Sequence, residues 1–109
     1  MTLPNGDRAI ADIEKLRGYC LNPWHPKGRH KARVFASFGV RGTDAEELRT
    51  VLLSAAREQP AVLGVPSPYG RRYVVDFDWV RSGRTIRIRS AWIIIDDVGL
   101  PRLTSCYVL

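Results

Sequence analysis

The sequence predicts an α+β fold in which two or three N-terminal helices pack on a four-stranded antiparallel β-sheet. Apolar residues recur at helical spacing up to Gln59, whereas after Pro60 they alternate with polar residues as in half-buried strands. The chain has 109 residues, 45% of them hydrophobic, which is the size and apolar content of one domain, placed at residues 1–109. Helices followed by strands are typical of two-layer α+β proteins.

The first two helices are predicted from their caps and stops. Asp7 or Asp12 serves as the N-cap of a short helix that runs through Tyr19. The two prolines and the glycine of residues 21–28 then require a loop. A second, very basic helix covers residues 29–38 and ends at Gly39.

The third helix has the strongest start signal. Thr43 is its expected N-cap, and Glu46 three residues later completes a capping box. Leucines, valine and alanine follow at helical spacing until the helix ends near Gln59 and Pro60.

Four strands are predicted for the second half. The alternating pattern and the turn residues between segments place them at Ala61–Val65, Arg71–Val80, Arg84–Asp96 and Arg102–Val108. A tight Ser82-Gly83 turn joins the two long strands into a hairpin. The apolar face of the second strand consists of Tyr73, Val75, Phe77 and Trp79.

The charge of the chain favours a polyanionic partner. It has 17 Lys and Arg against 11 Asp and Glu, a net charge of +6, and 14 of the 17 cations are arginine. The guanidinium group binds phosphate oxygens in pairs and stacks on bases, so RNA is the expected partner, although a basic surface can also serve solubility alone.

Cofactors, membrane insertion and secretion are not expected. Cys20 and Cys106 are too far apart in sequence for a zinc motif, and neither a phosphate loop nor a metal-ligand set occurs. The longest uncharged apolar run, Ala91 to Ile95, is too short to span a bilayer. The first residues lack the features of a signal peptide, so the expected compartment is the cytoplasm, with both cysteines reduced.

The densest polar cluster lies in the nine residues 25–33, which contain both histidines and two of the three lysines. If a helix begins near Gly28, its amides and the side chains of Lys27, His30 and Lys31 would form a phosphate cradle with a titratable imidazole. The alternative is a solvated basic face that follows a structural turn at His25. His30 and Lys31 are the better catalytic candidates.

Two further groups of polar residues lie in the predicted sheet. Arg87 and Arg89 project from the same face of one strand and require either an external anion or carboxylates. Asp76 and Asp78 on the preceding strand could supply those carboxylates. In the last strand, Thr104 and Cys106 are predicted to share one face and Ser105 and Tyr107 the other.

Several segments together resemble a family of small uncharacterised bacterial domains. They are the stretch at residues 21–35, Gly39, the Pro-Tyr-Gly turn at residues 68–70 and the terminal segment at residues 101–107. Members occur alone and as C-terminal tips of polymorphic toxins, next to a small antitoxin or immunity protein. The resemblance implies a partner of that kind, encoded next door.

More distantly, the layout is similar to the barnase, EndoU, colicin and RelE group of metal-independent ribonucleases. That group places N-terminal helices on a four-stranded antiparallel sheet. It takes catalytic residues from an early basic segment, from the sheet and from the last strand. Carried over by position, the resemblance implies the catalytic set His30, Lys31, Arg89, Thr104 and Tyr107.

The leading hypothesis is a toxin-type endoribonuclease that needs no metal and cleaves RNA by attack of the 2′-hydroxyl. His30 would transfer protons, while Lys31 and Arg89 would stabilise the phosphorane. Flanking phosphates would be held by His25, Lys27, Arg29, Arg33 and Arg87. The alternatives are a non-catalytic partner in such a system, either an antitoxin or a nucleic-acid-binding module, and a structural or phage-associated interaction domain.

Overall fold

The computed structural model of the protein describes residues 1–96 and 99–109. Three helices pack on a four-stranded antiparallel sheet, so the predicted α+β fold is confirmed. The strands lie in the sheet in their order along the chain. They are β1 (Val62–Leu63), β2 (Arg71–Arg81), β3 (Arg84–Ile94) and β4 (Arg102–Val108).

The first helix begins at the second of its two predicted caps. The Asp12 carboxylate accepts a hydrogen bond from the Glu14 amide at 2.9 Å, which satisfies a free donor of the first turn. Helix α1 (Ile13–Lys15) continues directly into a π-helical turn, Leu16–Cys20. A short 3₁₀ turn, Gly6–Arg8, precedes it.

Helix α2 (Arg29–Ser37) ends one residue before the predicted limit and is followed by Gly39 in the left-handed region, at φ 79°. Its buried residues are Ala32 and Phe35.

Helix α3 (Ala45–Glu58) starts later than predicted, and its expected Thr43 cap is wrong. Thr43 lies inside a 3₁₀ turn, Gly42–Asp44, which Asp44 organises by accepting the Arg41 amide at 2.9 Å. The Arg81 guanidinium binds the other Asp44 oxygen at 2.9 Å, so the start of α3 is tied to the end of β2.

The long hairpin β2–β3 is confirmed and pairs every residue of both strands, from Arg81 opposite Arg84 to Arg71 opposite Ile94. Its turn residues, Ser82 and Gly83, have φ angles of 52° and 74°. Two left-handed residues match the twist of the flanking strands, as in type I′ turns.

The limits of three strands differ from prediction. Strand β1 contains two residues rather than the predicted Ala61–Val65, β2 continues one residue beyond the predicted Val80 to Arg81, and β3 ends at Ile94, before the predicted Asp96. Both residues of β1 are exposed, so no packing against the core extends the strand.

The core lies between the helices and one face of the sheet. Its β2 contribution is the predicted set Tyr73, Val75, Phe77 and Trp79, all buried. Cys20 and Cys106 also meet there as free thiols, and the hydrogen bond between them together with burial raises the pKa of Cys106. No helix in residues 1–96 or 99–109 combines the length and apolar character that crossing a bilayer requires.

Candidate functional site

The sheet face opposite the core carries two arginine–aspartate pairs. Arg89 lies opposite Asp76 in the ladder and binds both its oxygens, through Nε and Nη2, at 2.9 Å each. Arg87 lies opposite Asp78 and binds it through Nη1 at 3.2 Å. Of the two partners considered for these arginines, carboxylates are therefore the ones present.

The two pairs differ in geometry and environment. The bond from Arg89 to Asp76 is bidentate, and these side chains are 39% and 25% exposed. Arg87 and Asp78 are more than half exposed and share one bond. The hydrogen bond from Arg89 lowers the pKa of Asp76. The pKa of Arg89 is raised, mainly by its hydrogen bond to Asp76 and to a smaller extent by that to Tyr107. Both groups of the Arg89–Asp76 pair are therefore ionised at neutral pH.

Tyr107 connects this pair to helix α2. It lies opposite Arg89 in the β3–β4 ladder, and the Lys31 ammonium is 4.5 Å from the centre of its ring. Lys31, Tyr107, Arg89 and Asp76 form a continuous row, here called the sheet cluster. The structure therefore brings together three of the five predicted catalytic residues, Lys31, Arg89 and Tyr107.

A depression of about 540 Å³ adjoins the sheet cluster on the side of β1. It is lined by Gln59, Pro60, Val62, Val74, Asp76, Arg87 and Arg89. Its lining combines apolar and charged side chains and leaves space for a ligand beside the Arg89 guanidinium.

Thr104 lies outside the sheet cluster because of a β-bulge. Ala91 pairs with Ser105 and Trp92 with Leu103, so Thr104 is the additional residue between them. The predicted shared face of Thr104 and Cys106 is therefore wrong. The Thr104 hydroxyl donates to the Ala91 carbonyl at 3.1 Å and borders a second pocket.

This second pocket has a volume of about 470 Å³ and contains two cations. Its lining residues are Lys15, Tyr19, His25, Pro26, Lys27 and Thr104. Two of these residues, Lys15 and Tyr19, could not be recognised from the sequence, because their proximity to β4 depends on how the first helix packs.

His25 has a structural role in this pocket. Its Nδ1 accepts hydrogen bonds from the Lys27 and Gly28 amides at 3.0 and 3.2 Å, and its carbonyl accepts the Arg29 amide at 3.0 Å. Its ring packs edge-on against Tyr19, with centroids 4.8 Å apart. The predicted phosphate cradle is wrong for these three amides, since the protein's own His25 occupies them.

His30 and Lys31 occupy the first turn of α2 and point in directions about 100° apart around the helix axis. Lys31 faces Tyr107, while the His30 side chain is exposed to solvent. Lys27, Arg29 and Arg33 are also exposed and surround His30 with positive charge. Within the described ranges, no group of three His, Cys, Asp or Glu side chains is placed to ligate one metal ion.

Comparison with known sequences supplies a family. The model of a family described as a domain of unknown function, DUF6883, matches residues 2–109. The chain belongs to the DUF6883 family. No match was found among proteins of curated function.

The fold of this DUF6883 member is similar to that of a solved chain. That chain comes from a contact-dependent growth inhibition toxin–immunity protein complex from Klebsiella pneumoniae 342. The TM-score is 0.69 at 14% sequence identity, over 93% of this chain and 100% of the other. At this identity the likeness establishes a common fold.

In this DUF6883 member, substituting Asp76→Asn is expected to lower the free energy of unfolding by about 1 kcal/mol at neutral pH. Because the pKa of Asp76 is lowered in the folded state, its contribution is present above the ordinary aspartate pKa and disappears as the pH falls. Urea denaturation from neutral pH to about pH 3 should therefore show the two stabilities converging in acid. Asp78→Asn, which removes the more exposed pair, should show a smaller effect; equal effects would contradict the assignment.

Proposed function

We propose that the chain is a toxin-type, metal-independent endoribonuclease of a bacterial toxin–antitoxin or polymorphic-toxin system. The observation that carries the proposal is the meeting of Lys31 and Arg89 at Tyr107 on a sheet face that the helices leave uncovered. Two cations and a hydroxyl side by side fit the charge that develops on a phosphodiester under attack. The shared fold with a chain from a toxin–immunity complex supports the biological setting.

In the proposed reaction, the 2′-hydroxyl oxygen attacks the adjacent phosphorus and the bond from phosphorus to the 5′-oxygen breaks. The products are a 2′,3′-cyclic phosphate and a 5′-hydroxyl, so one proton leaves the 2′-oxygen and one reaches the 5′-oxygen. Lys31 and Arg89 stabilise the additional negative charge of the phosphorane. No water and no metal enter this step.

The bond between Arg89 and Asp76 is compatible with this role. The bidentate contact uses Nε and Nη2 and leaves Nη1 free of Asp76. Asp76 fixes the plane of the guanidinium, so that Nη1 donates a hydrogen bond to a phosphate oxygen in a defined direction. Asp76 is thus a positioning residue.

Proton transfer is assigned to His30, with Tyr107 as the competing group. His30 is adjacent to Lys31 in the chain, its imidazole is exposed, and histidine is the side chain most often used for general acid–base catalysis. The Tyr107 hydroxyl lies within the sheet cluster itself. Thr104, at the bulge beside the second pocket, orients the phosphate of the RNA.

The remaining predicted residues bind flanking phosphates. Lys27, Arg29, Arg33 and Arg87 are exposed cations, and His25 shapes the loop that carries the first two. Affinity supplied by such contacts falls steeply with salt, because binding releases counterions from the RNA.

The experiment is induction of the chain alone in a bacterial host, with growth and total RNA followed. We expect growth arrest and discrete RNA fragments that end in cyclic phosphate, and purified protein should form the same fragments with a chelator present. His30→Ala and Tyr107→Phe identify the proton carrier, because the first removes the imidazole and the second removes only a hydroxyl while keeping the ring under Lys31. The variant of the true carrier should cleave about 100-fold more slowly or worse.

Unimpeded growth with intact RNA, from soluble protein of unchanged melting temperature, would refute the nuclease. It would favour the second candidate, a non-catalytic partner such as an antitoxin or a nucleic-acid-binding module. One observation favours this second candidate, namely that Arg87 and Arg89 are both paired with aspartates in the protein itself.

The same proposal includes a small antitoxin or immunity protein as partner. Exposed apolar side chains are concentrated around β1 and the adjoining loop, namely Val62, Leu63, Val65, Tyr69 and Ile95. Strand β1 lies at the edge of the sheet, where a partner can add a strand or cover the apolar surface. Co-expression of the adjacent gene should restore growth, and Leu63→Asp should prevent this rescue without reducing toxicity.

A further inference from the structure

The Trp24 side chain is 81% exposed, in contrast to Trp79 at 8% and Trp92 at 0%. Tryptophan is highly buried on average because its large apolar surface is costly to hydrate. A fully displayed indole is therefore an unusual feature of the monomer and is typical of a surface that binds something.

The loop that presents Trp24 is held in place by its own hydrogen bonds. The Asn22 side chain accepts the Trp24 amide at 2.9 Å and donates to the Gly18 carbonyl at 3.1 Å. On the other side, His25 accepts two amides through Nδ1. A side chain at Gly28 would approach the Tyr19 carbonyl to 2.7 Å, so the loop packs tightly on the first helix. Because these bonds already order the backbone, a ligand that binds the indole does not have to order the loop.

The chain segment that follows Trp24 is cationic. Lys27 and Arg29 follow it within five residues and are exposed, and Lys27 shares the second pocket with Lys15. This combination of an aromatic face with adjacent cations is the pattern of single-stranded nucleic-acid sites, where bases stack and phosphates pair with Lys and Arg.

The loop also adjoins the strand that leads to the sheet cluster. Thr104 borders the second pocket together with His25, the neighbour of Trp24 in the chain. Thr104 precedes Tyr107 by three residues, which corresponds to roughly 10 Å along a strand. A single RNA strand that follows β4 can reach both places.

We propose that Trp24 is a stacking platform for an unpaired nucleobase of the RNA strand whose phosphate is bound at the sheet cluster. The inference rests on the proposed function, since it takes RNA as the substrate class. It adds a base-binding subsite and a preference for single-stranded over duplex RNA, because a base in a duplex must first lose its pairing and stacking before it can stack on the indole.

The test uses an RNA of about eight nucleotides, a usual site size, with fluorine in place of every 2′-hydroxyl so that it cannot be cleaved. A matched abasic oligomer has the same phosphates without bases. Because Trp79 and Trp92 are buried, the fluorescence emission typical of a solvent-exposed tryptophan reports on Trp24. We expect the Trp24 emission of the wild type to be quenched when the RNA binds. The affinity of Trp24→Ala for the base-containing RNA should be about 10-fold lower than that of the wild type, whereas the affinity of Trp24→Phe should be nearly that of the wild type. The abasic oligomer should bind the wild type and Trp24→Ala equally.

Two results would overturn the proposal. One is equal affinity of the wild type and Trp24→Ala for the base-containing RNA, and the other is equal loss with the abasic oligomer. If Trp24→Ala instead weakened only the complex with the protein partner, the indole would belong to a protein interface. These outcomes distinguish a failure of the subsite from a failure of the proposed function. Cleavage of unmodified RNA that does not depend on Trp24 would refute the subsite alone. Base-dependent quenching without cleavage of unmodified RNA would refute the nuclease alone.

Discussion

Arg89→Ala is expected to reduce the rate of RNA cleavage by about 100-fold or more and to abolish growth arrest. The substitution removes the guanidinium that lies opposite Tyr107 and that would face the phosphate in the proposed reaction, and loss of one such donor to a developing oxyanion typically has an effect of this size. The measurement is the single-turnover rate on a fixed RNA at saturating protein, which separates chemistry from binding.

Two controls make this result interpretable. Arg17→Ala removes the same charge from an exposed pair with Glu14 and should retain the wild-type rate. The double variant Asp76→Asn, Arg89→Ala avoids leaving an unpaired carboxylate next to the RNA. If the double variant recovered the rate, repulsion by Asp76 would explain the defect, and Arg89 would have no direct role.

Trp92→Ala is expected to lower the free energy of unfolding by about 4 kcal/mol, a large part of the stability of a domain of this size. Trp92 is fully buried, and its indole nitrogen donates to the Ser90 hydroxyl at 2.9 Å. That hydroxyl in turn donates to the Val75 carbonyl at 2.7 Å. The substitution therefore leaves a cavity and deprives a buried hydroxyl of its donor.

The matched control is the same substitution at the exposed tryptophan, Trp24→Ala, which should change stability by less than about 0.5 kcal/mol. Trp92→Phe should lie between the two, because it preserves most of the packing but not the bond to Ser90. Urea denaturation at constant m-value provides the comparison. Similar losses at positions 24 and 92 would contradict the described burial.

The sheet could be predicted closely because its signals are local. Alternation of apolar and polar residues defines the face of a strand, and Ser82-Gly83 defines the hairpin register. The limits of β4 were predicted without error, at Arg102 and Val108. The helix start at Thr43 was wrong because Asp44 takes hydrogen bonds from Arg41 and from the distant Arg81, and sequence spacing does not show the second.

The site was predictable in its parts but not in its assembly. The pairing of Arg87 and Arg89 with aspartates follows from hairpin register, so it could be anticipated. The contact between Lys31 and Tyr107 depends on the docking of α2 beside β4, and the bulge at Thr104 changes which face each residue occupies. Trp24 carried a detectable signal, an aromatic residue next to a cationic segment, but its exposure required the structure.

Two of the contacts in the sheet cluster close chain segments of very different length. Asp76 and Arg89 are 13 residues apart within one hairpin, whereas Lys31 and Tyr107 are separated by most of the chain. Closing the longer loop costs about 1.6 kcal/mol more in chain entropy. The ion pair can therefore form early, within a local hairpin, but the sheet cluster is completed only when α2 docks on the finished sheet. A partly folded chain would carry Arg89 already neutralised by Asp76, without the Lys31 ammonium beside it.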